Sequence, residues 1–180
     1  MTLSDWRHDV LAFWFGLDPK QWWKSDPLVD DQVRERFQKL WSSKRELPVE
    51  SFLDDPLTAL AAVILFDQFP RNMFRGHADQ FATDHLAIAI ARGALDKEFD
   101  EELQPQERAF LYMPFQHSES LEDQNRSVLL FSELGDGRQL KYARLHHDVI
   151  EKFGRFPHRN ALLGRVPRPA EVAAGEVTPW

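Results

Sequence analysis

The sequence contains no cysteine. That absence excludes disulfides, thiolate nucleophiles, iron–sulfur clusters and Cys-ligated zinc, so any metal would have to be held by His, Asp or Glu. It also fits a reducing compartment, and a cytoplasmic location is expected. Long hydrophobic runs are missing too. The longest uncharged apolar stretch is Ala59 to Phe66, far short of the roughly 20 residues that span a bilayer. Asp5, Arg7, His8 and Asp9 interrupt the N-terminus where a signal peptide needs an unbroken apolar core, and no membrane contact is expected. Positive charge is in deficit: 22 Lys and Arg face 29 Asp and Glu, a net charge of −7. Nucleic-acid affinity rests on neutralising phosphates with basic side chains, so no nucleic-acid partner is expected.

Several motifs are absent as well. There is no G-x-S-x-G elbow, P-loop, G-x-G-x-x-G or H-E-x-x-H, so no cofactor and no metal is assigned. No segment shows the alternating pattern of a strand, and the 34-residue period of tetratricopeptide repeats is not visible.

What the chain does contain is helical patterning. Its 180 residues, 43% hydrophobic and 28% charged, suit one ordinary globular domain, expected over 1–165. Residues 166–180 then form a tail that is a short helix or mobile. Ser4 can cap a first helix in which Trp6, Val10, Phe13, Trp14 and Leu17 share one face and which Gly16 ends. Asp26-Pro27 and Asp55-Pro56 open a second and a third helix. The third is expected to stop near Phe69, because Pro70 cannot continue the ladder. A fourth runs from about His77 to Leu95 and ends around Gly93. A fifth begins at Pro105 and is bent or ended at Pro114. A sixth spans Ser120 or Asp123 to Leu134, a seventh runs from about Arg138 to Phe153, and Leu162 and Leu163 add a short turn. The fold class is all-α, with about seven to eight helices in antiparallel pairs.

An internal echo stands out. Phe66-Asp67-Gln68-Phe69-Pro70-Arg71-Asn72, followed by Gly76, is matched by Phe153-Gly154-Arg155-Phe156-Pro157-His158-Arg159-Asn160, followed by Gly164. The pattern describes a helix-to-helix corner in which Phe residues pack, Pro stops the helix, Arg satisfies free carbonyls and Asn caps the next helix. Arg forks match carboxylates and phosphates equally well, so a binding role for the same residues stays open.

Other polar residues cluster between Glu107 and Glu119. Arg108 and Tyr112 share a helix face, and His117-Ser118-Glu119 holds a His near a carboxylate, the elements of an acid–base pair. His146 lies on the buried stripe of the seventh helix with Tyr142, Val149, Ile150 and Phe153, where an inward His is commonly a satisfied core residue. Most of the Trp residues fall in the first 41 positions and are read as core anchors.

The segments Asp67-Gln68-Phe69-Pro70-Arg71-Asn72, Glu107-Arg108-Ala109-Phe110-Leu111-Tyr112-Met113-Pro114, His117-Ser118-Glu119 and Phe153 to Asn160 resemble the bacterial family catalogued as "domain of unknown function 924". The likeness extends from Phe13-Trp14-Phe15-Gly16 to Leu163-Gly164-Arg165. It implies a tetratricopeptide-like helical fold, with antiparallel helix pairs curved as a right-handed superhelical bundle around a concave face, and it implies no particular activity.

The leading functional expectation is a binding module for a small anionic molecule or peptide. Its pocket would be lined by Arg71, Arg75, Arg108, Arg155 and Arg159, with Asp67, Gln68, Asn72, Glu107, Tyr112, His146 and Asn160 among the binding residues. Mutual pairing of these charges is the competing structural reading. A second expectation is a hydrolase in which His117 or His158 is the general base, Glu119 orients it and an Arg stabilises developing negative charge. A third is a protein-interaction scaffold.

Overall fold

Each Asp-Pro pair opens a helix. In the computed structural model, which describes residues 5–177 and 180, Asp26 accepts from the Leu28 N–H at 3.0 Å and Asp55 from the Thr58 N–H at 2.9 Å. In each case the proline sits at the first helical position, where its missing N–H costs nothing. Asp5 caps the first helix by accepting from Arg7 N–H. The expected cap, Ser4, lies outside the described residues.

Every regular element among the described residues is helical. The α-helices are α1 (Trp6–Phe15), α2 (Pro27–Lys44), α3 (Pro56–Val63), α4 (Phe69–Met73), α5 (Asp84–Asp96), α6 (Pro105–His117), α7 (Leu121–Leu134), α8 (Gly137–Phe153), α9 (Asn160–Leu163) and α10 (Pro169–Ala174), with short 3₁₀ turns between several of them. The tail therefore carries α10. None of these helices is long and apolar enough to cross a membrane. The chain divides into two compact units, the first ending at Leu111 and the second running Tyr112–Trp180.

Three helix boundaries differ from the sequence reading, each for a local reason. The third helix does not stop at Phe69. A π-helical turn, Ile64–Gln68, joins α3 to α4, and the Phe69 N–H reaches back to the Ile64 carbonyl. Pro70 then sits within the first turn of α4. In α-register its N–H would have served the Phe66 carbonyl. The Thr83 hydroxyl serves that carbonyl instead, at 2.7 Å, while Thr83 Oγ1 accepts from Trp41 Nε1 at 3.0 Å. Widened turns of this kind occur where an extra residue must be absorbed in a helix.

The fourth predicted helix is two pieces, a 3₁₀ turn at Ala78–Phe81 and α5, and α5 continues through Gly93 to Asp96. Gly93 is an interior packing residue: a Cβ there would meet Leu53 Cδ1 at 2.5 Å. Finally, α6 passes through Pro114 to His117. Its end is held by Gln124, whose Nε2 donates to the carbonyls of Phe115, Gln116 and Ser118 at 3.3, 2.8 and 2.7 Å. One amide thus covers acceptors that a helix end leaves open.

The first unit's core is aromatic. Phe37 lies 4.6 Å from Phe69 and 5.3 Å from Phe13, ring to ring, and Trp14 packs edge-on to Phe69 and Phe110. Burying a ring as completely as Phe69 contributes about 2–3 kcal/mol. In the second unit α7 packs along α8, joined by a turn in which Gly135 adopts φ +78°, a conformation that glycine enters without a Cβ clash. Tyr112 meets Phe131 edge-on at 5.9 Å.

Candidate functional site

The two copies of the echo take different backbones. Residue two decides which. Asp67 keeps the first copy helical, whereas Gly154 in the second turns left-handed at φ +73° and ends α8. Phe156 is then extended, a 3₁₀ turn forms at Pro157–Arg159, and α9 follows.

The Asn of each copy nevertheless joins a polar knot, though with an Arg from a different position: Arg75, beyond the first copy, and Arg155, within the second. Asn72 Nδ2 donates to Asp30 at 2.8 Å, and Arg75 grips the same carboxylate with two nitrogens at 2.7 and 3.0 Å. Asn160 Nδ2 lies 3.4 Å from Glu171, which Arg155 grips with two nitrogens at 2.8 Å. In both, an Asn and an Arg share a carboxylate supplied by another helix, α2 or α10. The Asn residues tie elements together rather than capping the helices that follow them.

Bidentate Arg–carboxylate geometry is the strong form of the ion pair. Glu171 also accepts from the Arg168 N–H. The Arg155 hydrogen bonds, with those from Arg168 and Asn160, hold its carboxyl down at about 2, against the opposing effect of burial.

In the first unit Arg71 is enclosed by two acids. It donates to both oxygens of Asp84 at 2.7 and 2.9 Å, to the Asp67 carbonyl at 2.6 Å, and its Nη1 lies 3.5 Å from Asp67 Oδ1. Gln68 Nε2 donates to Asp67 at 2.7 Å. Arg108 donates to the carbonyls of Leu103 and Glu101, and Glu107 accepts from the Gln104 N–H at 2.8 Å. Asp67, Gln68, Arg71, Asn72 and Arg75 therefore gather around one bend of the first unit, with charges met by Asp30 and Asp84. Glu107 and Arg108 hold a helix entry.

In the second unit the expected residues converge differently. His146 is 3% exposed, and its Nδ1 lies 2.7 Å from the Tyr142 carbonyl. Because a carbonyl only accepts, Nδ1 carries the proton and Nε2 the lone pair. Burial first, and then the neighbouring His117, Arg159 and His158, push the His146 pKa down to about 2, although the Tyr142 bond opposes this.

The His117 and His146 rings are 6.3 Å apart, and Phe156 stands edge-on to His146 at 5.7 Å. Arg159 donates to the His117 carbonyl at 2.9 Å and lies over the Phe156 ring at 4.6 Å. Trp180 completes the group, its ring 3.5 Å from that of His146 and 5.6 Å from that of His158.

Glu119 has both oxygens engaged. Arg165 donates to Oε2 at 2.8 Å and to Oε1 at 3.0 Å, and the Phe156 N–H donates to Oε1 at 2.7 Å. Burial would raise its pKa, but these bonds and the charges of Arg159 and Arg165 lower it. Ser118 donates to Asp123 at 2.6 Å, part of the α7 start. Among the described residues, His147, Asp148 and Glu151 place three possible metal-ligand atoms within 4.8 Å of one another. They sit on the surface of α8, where His147 Nε2 is taken up by Asn125 Oδ1 at 2.8 Å.

Sequence reasoning missed Asp30, Asp84, Arg165, Glu171 and Trp180. Asp30 carried a signal: it falls three residues before Val33 and seven before Phe37, on the buried stripe of α2, where a carboxylate needs a partner. The others belong to elements with no such periodic cue.

Among solved structures, the chain is similar to a protein of unknown function from Agrobacterium tumefaciens, with 37% identity over 96% of this chain and 97% of that one and a TM-score of 0.87. No curated protein matches. The model of the bacterial protein family of unknown function DUF924 matches residues 10–174, and the chain belongs to that family.

Proposed function

We propose that the second unit binds a small anionic molecule or peptide carboxylate at the group formed by His117, His146, His158 and Arg159. The observation that carries this reading is the environment of His146. Three neighbouring basic groups, His117, Arg159 and His158, act together with burial to disfavour its protonation. Burial, the largest cause, disfavours charge of either sign, so the reading rests on the three basic neighbours, whose Arg fork beside imidazoles suits a carboxylate or phosphate. Glu119, on which the Arg159 charge also acts, is paired with Arg165.

Binding is supported better than hydrolysis. A base oriented by Glu119 needs that carboxylate on an imidazole, whereas its oxygens accept from Arg165 and the Phe156 N–H. The guanidinium groups of Arg71, Arg75 and Arg155 each face a carboxylate, so in this reading they brace the fold, and Arg159, which donates to the His117 carbonyl, contributes its positive charge to the histidine group.

The test is a thermal-shift series with inorganic phosphate, acetate and a short peptide with a free C-terminal carboxylate, on the native chain and on His158→Ala. His158 is exposed, so its removal spares the core. A ligand at 100 times its Kd stabilises by about 2.7 kcal/mol, a rise of roughly 5–10 °C for a chain of this size. The rise should shrink in His158→Ala. Equal shifts in both proteins, or none with any anion, would remove the reading.

A further inference from the structure

On α8, outside the histidine group, His147, Asp148 and Glu151 place one ligand atom each within 4.8 Å of one another. At i, i+1 and i+4 of one helix they span an arc of about 100°. The ring sets this cluster apart from ordinary surface acids. His147 Nε2 lies 2.8 Å from Asn125 Oδ1 on α7. Because that oxygen only accepts, Nε2 carries the proton and Nδ1 the lone pair. Nδ1 in turn stands 3.7 Å from Asp148 Oδ1, so two acceptors face each other with no hydrogen between them. A cation placed there, a proton or a metal ion, turns that approach from repulsive to attractive.

The two acids are exposed, and the basic residues one turn away leave them unpaired. Lys152 lies over the Phe153 ring at 5.1 Å, and Arg155 grips Glu171. Among the described residues Arg144 forms no ion pair with Asp148, whose one charged contact is the His147 ring. Both carboxylates also stand near the C-terminal end of α8, where the partial negative charge of a helix favours a cation. Ligand atoms on one zinc-sized ion lie about 3–3.5 Å apart, and rotation of the exposed acid side chains closes the remaining gap. A metal-bound His whose other ring nitrogen donates to an oxygen is the common supporting arrangement. Asn125 supplies that oxygen from the neighbouring helix.

We propose that His147 Nδ1, Asp148 and Glu151 bind a divalent transition-metal ion of the zinc class, with water in its remaining positions, and that Asn125 is the positioning residue that turns the ring toward it. One imidazole with two carboxylates is a donor set that such ions accept. The site shares no residue with the anion-binding group and does not depend on it.

The experiment titrates zinc chloride into the native chain at pH 7.5 by calorimetry, while the ring resonances of the seven histidines are followed in parallel. One equivalent of zinc should move the His147 resonances first. His147→Ala and Glu151→Gln, which each remove a ligand, should weaken zinc about tenfold or more, and Asn125→Ala, which removes none, about tenfold. Asn125→Asp keeps the acceptor and should restore the affinity. Equal zinc affinity in the native chain, Glu151→Gln and Asn125→Ala would overturn the site. So would zinc that moves the resonances of His117, His146 or His158 and not those of His147. No zinc binding at millimolar concentration would overturn it as well and leave the Nδ1 position to a proton.

Discussion

The Thr83 hydroxyl donates to the Phe66 carbonyl at 2.7 Å across the inside of the first unit. That carbonyl is the one Pro70 abandons, four residues along the chain. The same oxygen of Thr83 accepts the indole N–H of Trp41, so one buried hydroxyl satisfies an acceptor in the π-helical turn and a donor in α2. The relay explains how a proline can stand inside a buried helix without leaving a polar group stranded.

Replacing Thr83 by Val keeps the shape and removes both bonds. Two buried groups are then unsatisfied, and the cost should be about 2–4 kcal/mol, read as a lower midpoint in urea unfolding. Thr83→Ser keeps the hydroxyl and loses one methyl, for about 1 kcal/mol. If Val were tolerated as well as Ser, the relay would not be what accommodates Pro70.

Gly93 and Leu53 should be coupled in sign. In an open helix, Gly→Ala stabilises by about 1 kcal/mol. At Gly93 the new methyl would stand 2.5 Å from Leu53 Cδ1, and overpacking a core costs about 1–3 kcal/mol. Gly93→Ala should therefore destabilise the native chain, yet stabilise the Leu53→Ala background, where only helix propensity remains. A double-mutant cycle in denaturant reads the reversal. The same sign in both backgrounds would show that Leu53 moves aside freely.

Acid should weaken the fold through two groups whose windows begin at different pH and overlap below 4.5. His146, faced by His117 on α6 and by His158 and Arg159 on the 3₁₀ turn, has a folded pKa of about 2 against an ordinary 6.5. The unfolded chain then binds more protons between these values, so stability present above pH 6.5 is lost as pH falls. Between pH 6.5 and 5 the loss is about 1–2 kcal/mol, and His146→Gln should flatten it. Glu171 has a folded pKa of about 2 against 4.5; its contribution is present above pH 4.5 and disappears toward pH 2. Glu171→Gln should remove only this lower window. A His146→Gln profile unchanged between pH 6.5 and 5, or a Glu171→Gln profile altered there, would contradict the assignment.

Much of the architecture was legible in the chain because its signals are local. Asp26-Pro27 and Asp55-Pro56 open helices by capping chemistry that needs no distant partner. Gly135 and Gly154 end helices because only their neighbourhood must turn left-handed. The buried faces of α1, α2 and α8 follow from spacing alone.

What the chain could not decide by itself is what those residues touch. Pro70 reads as a helix end until Thr83, thirteen residues later, supplies the missing bond. Gly93 reads as a stop until Leu53 is seen to need the space its side chain would fill. The arginines read as a ligand-binding set, yet Asp30, Asp84 and Glu171 reach three of them from other helices. Trp180 has no periodic cue at all, and only folding lays its ring on His146. Capping, turn chemistry and amphipathic spacing act over four residues or fewer and are written in order along the chain. Charge pairing, hydrogen-bond rescue and ring stacking act through space, and only the tertiary structure brings their partners together.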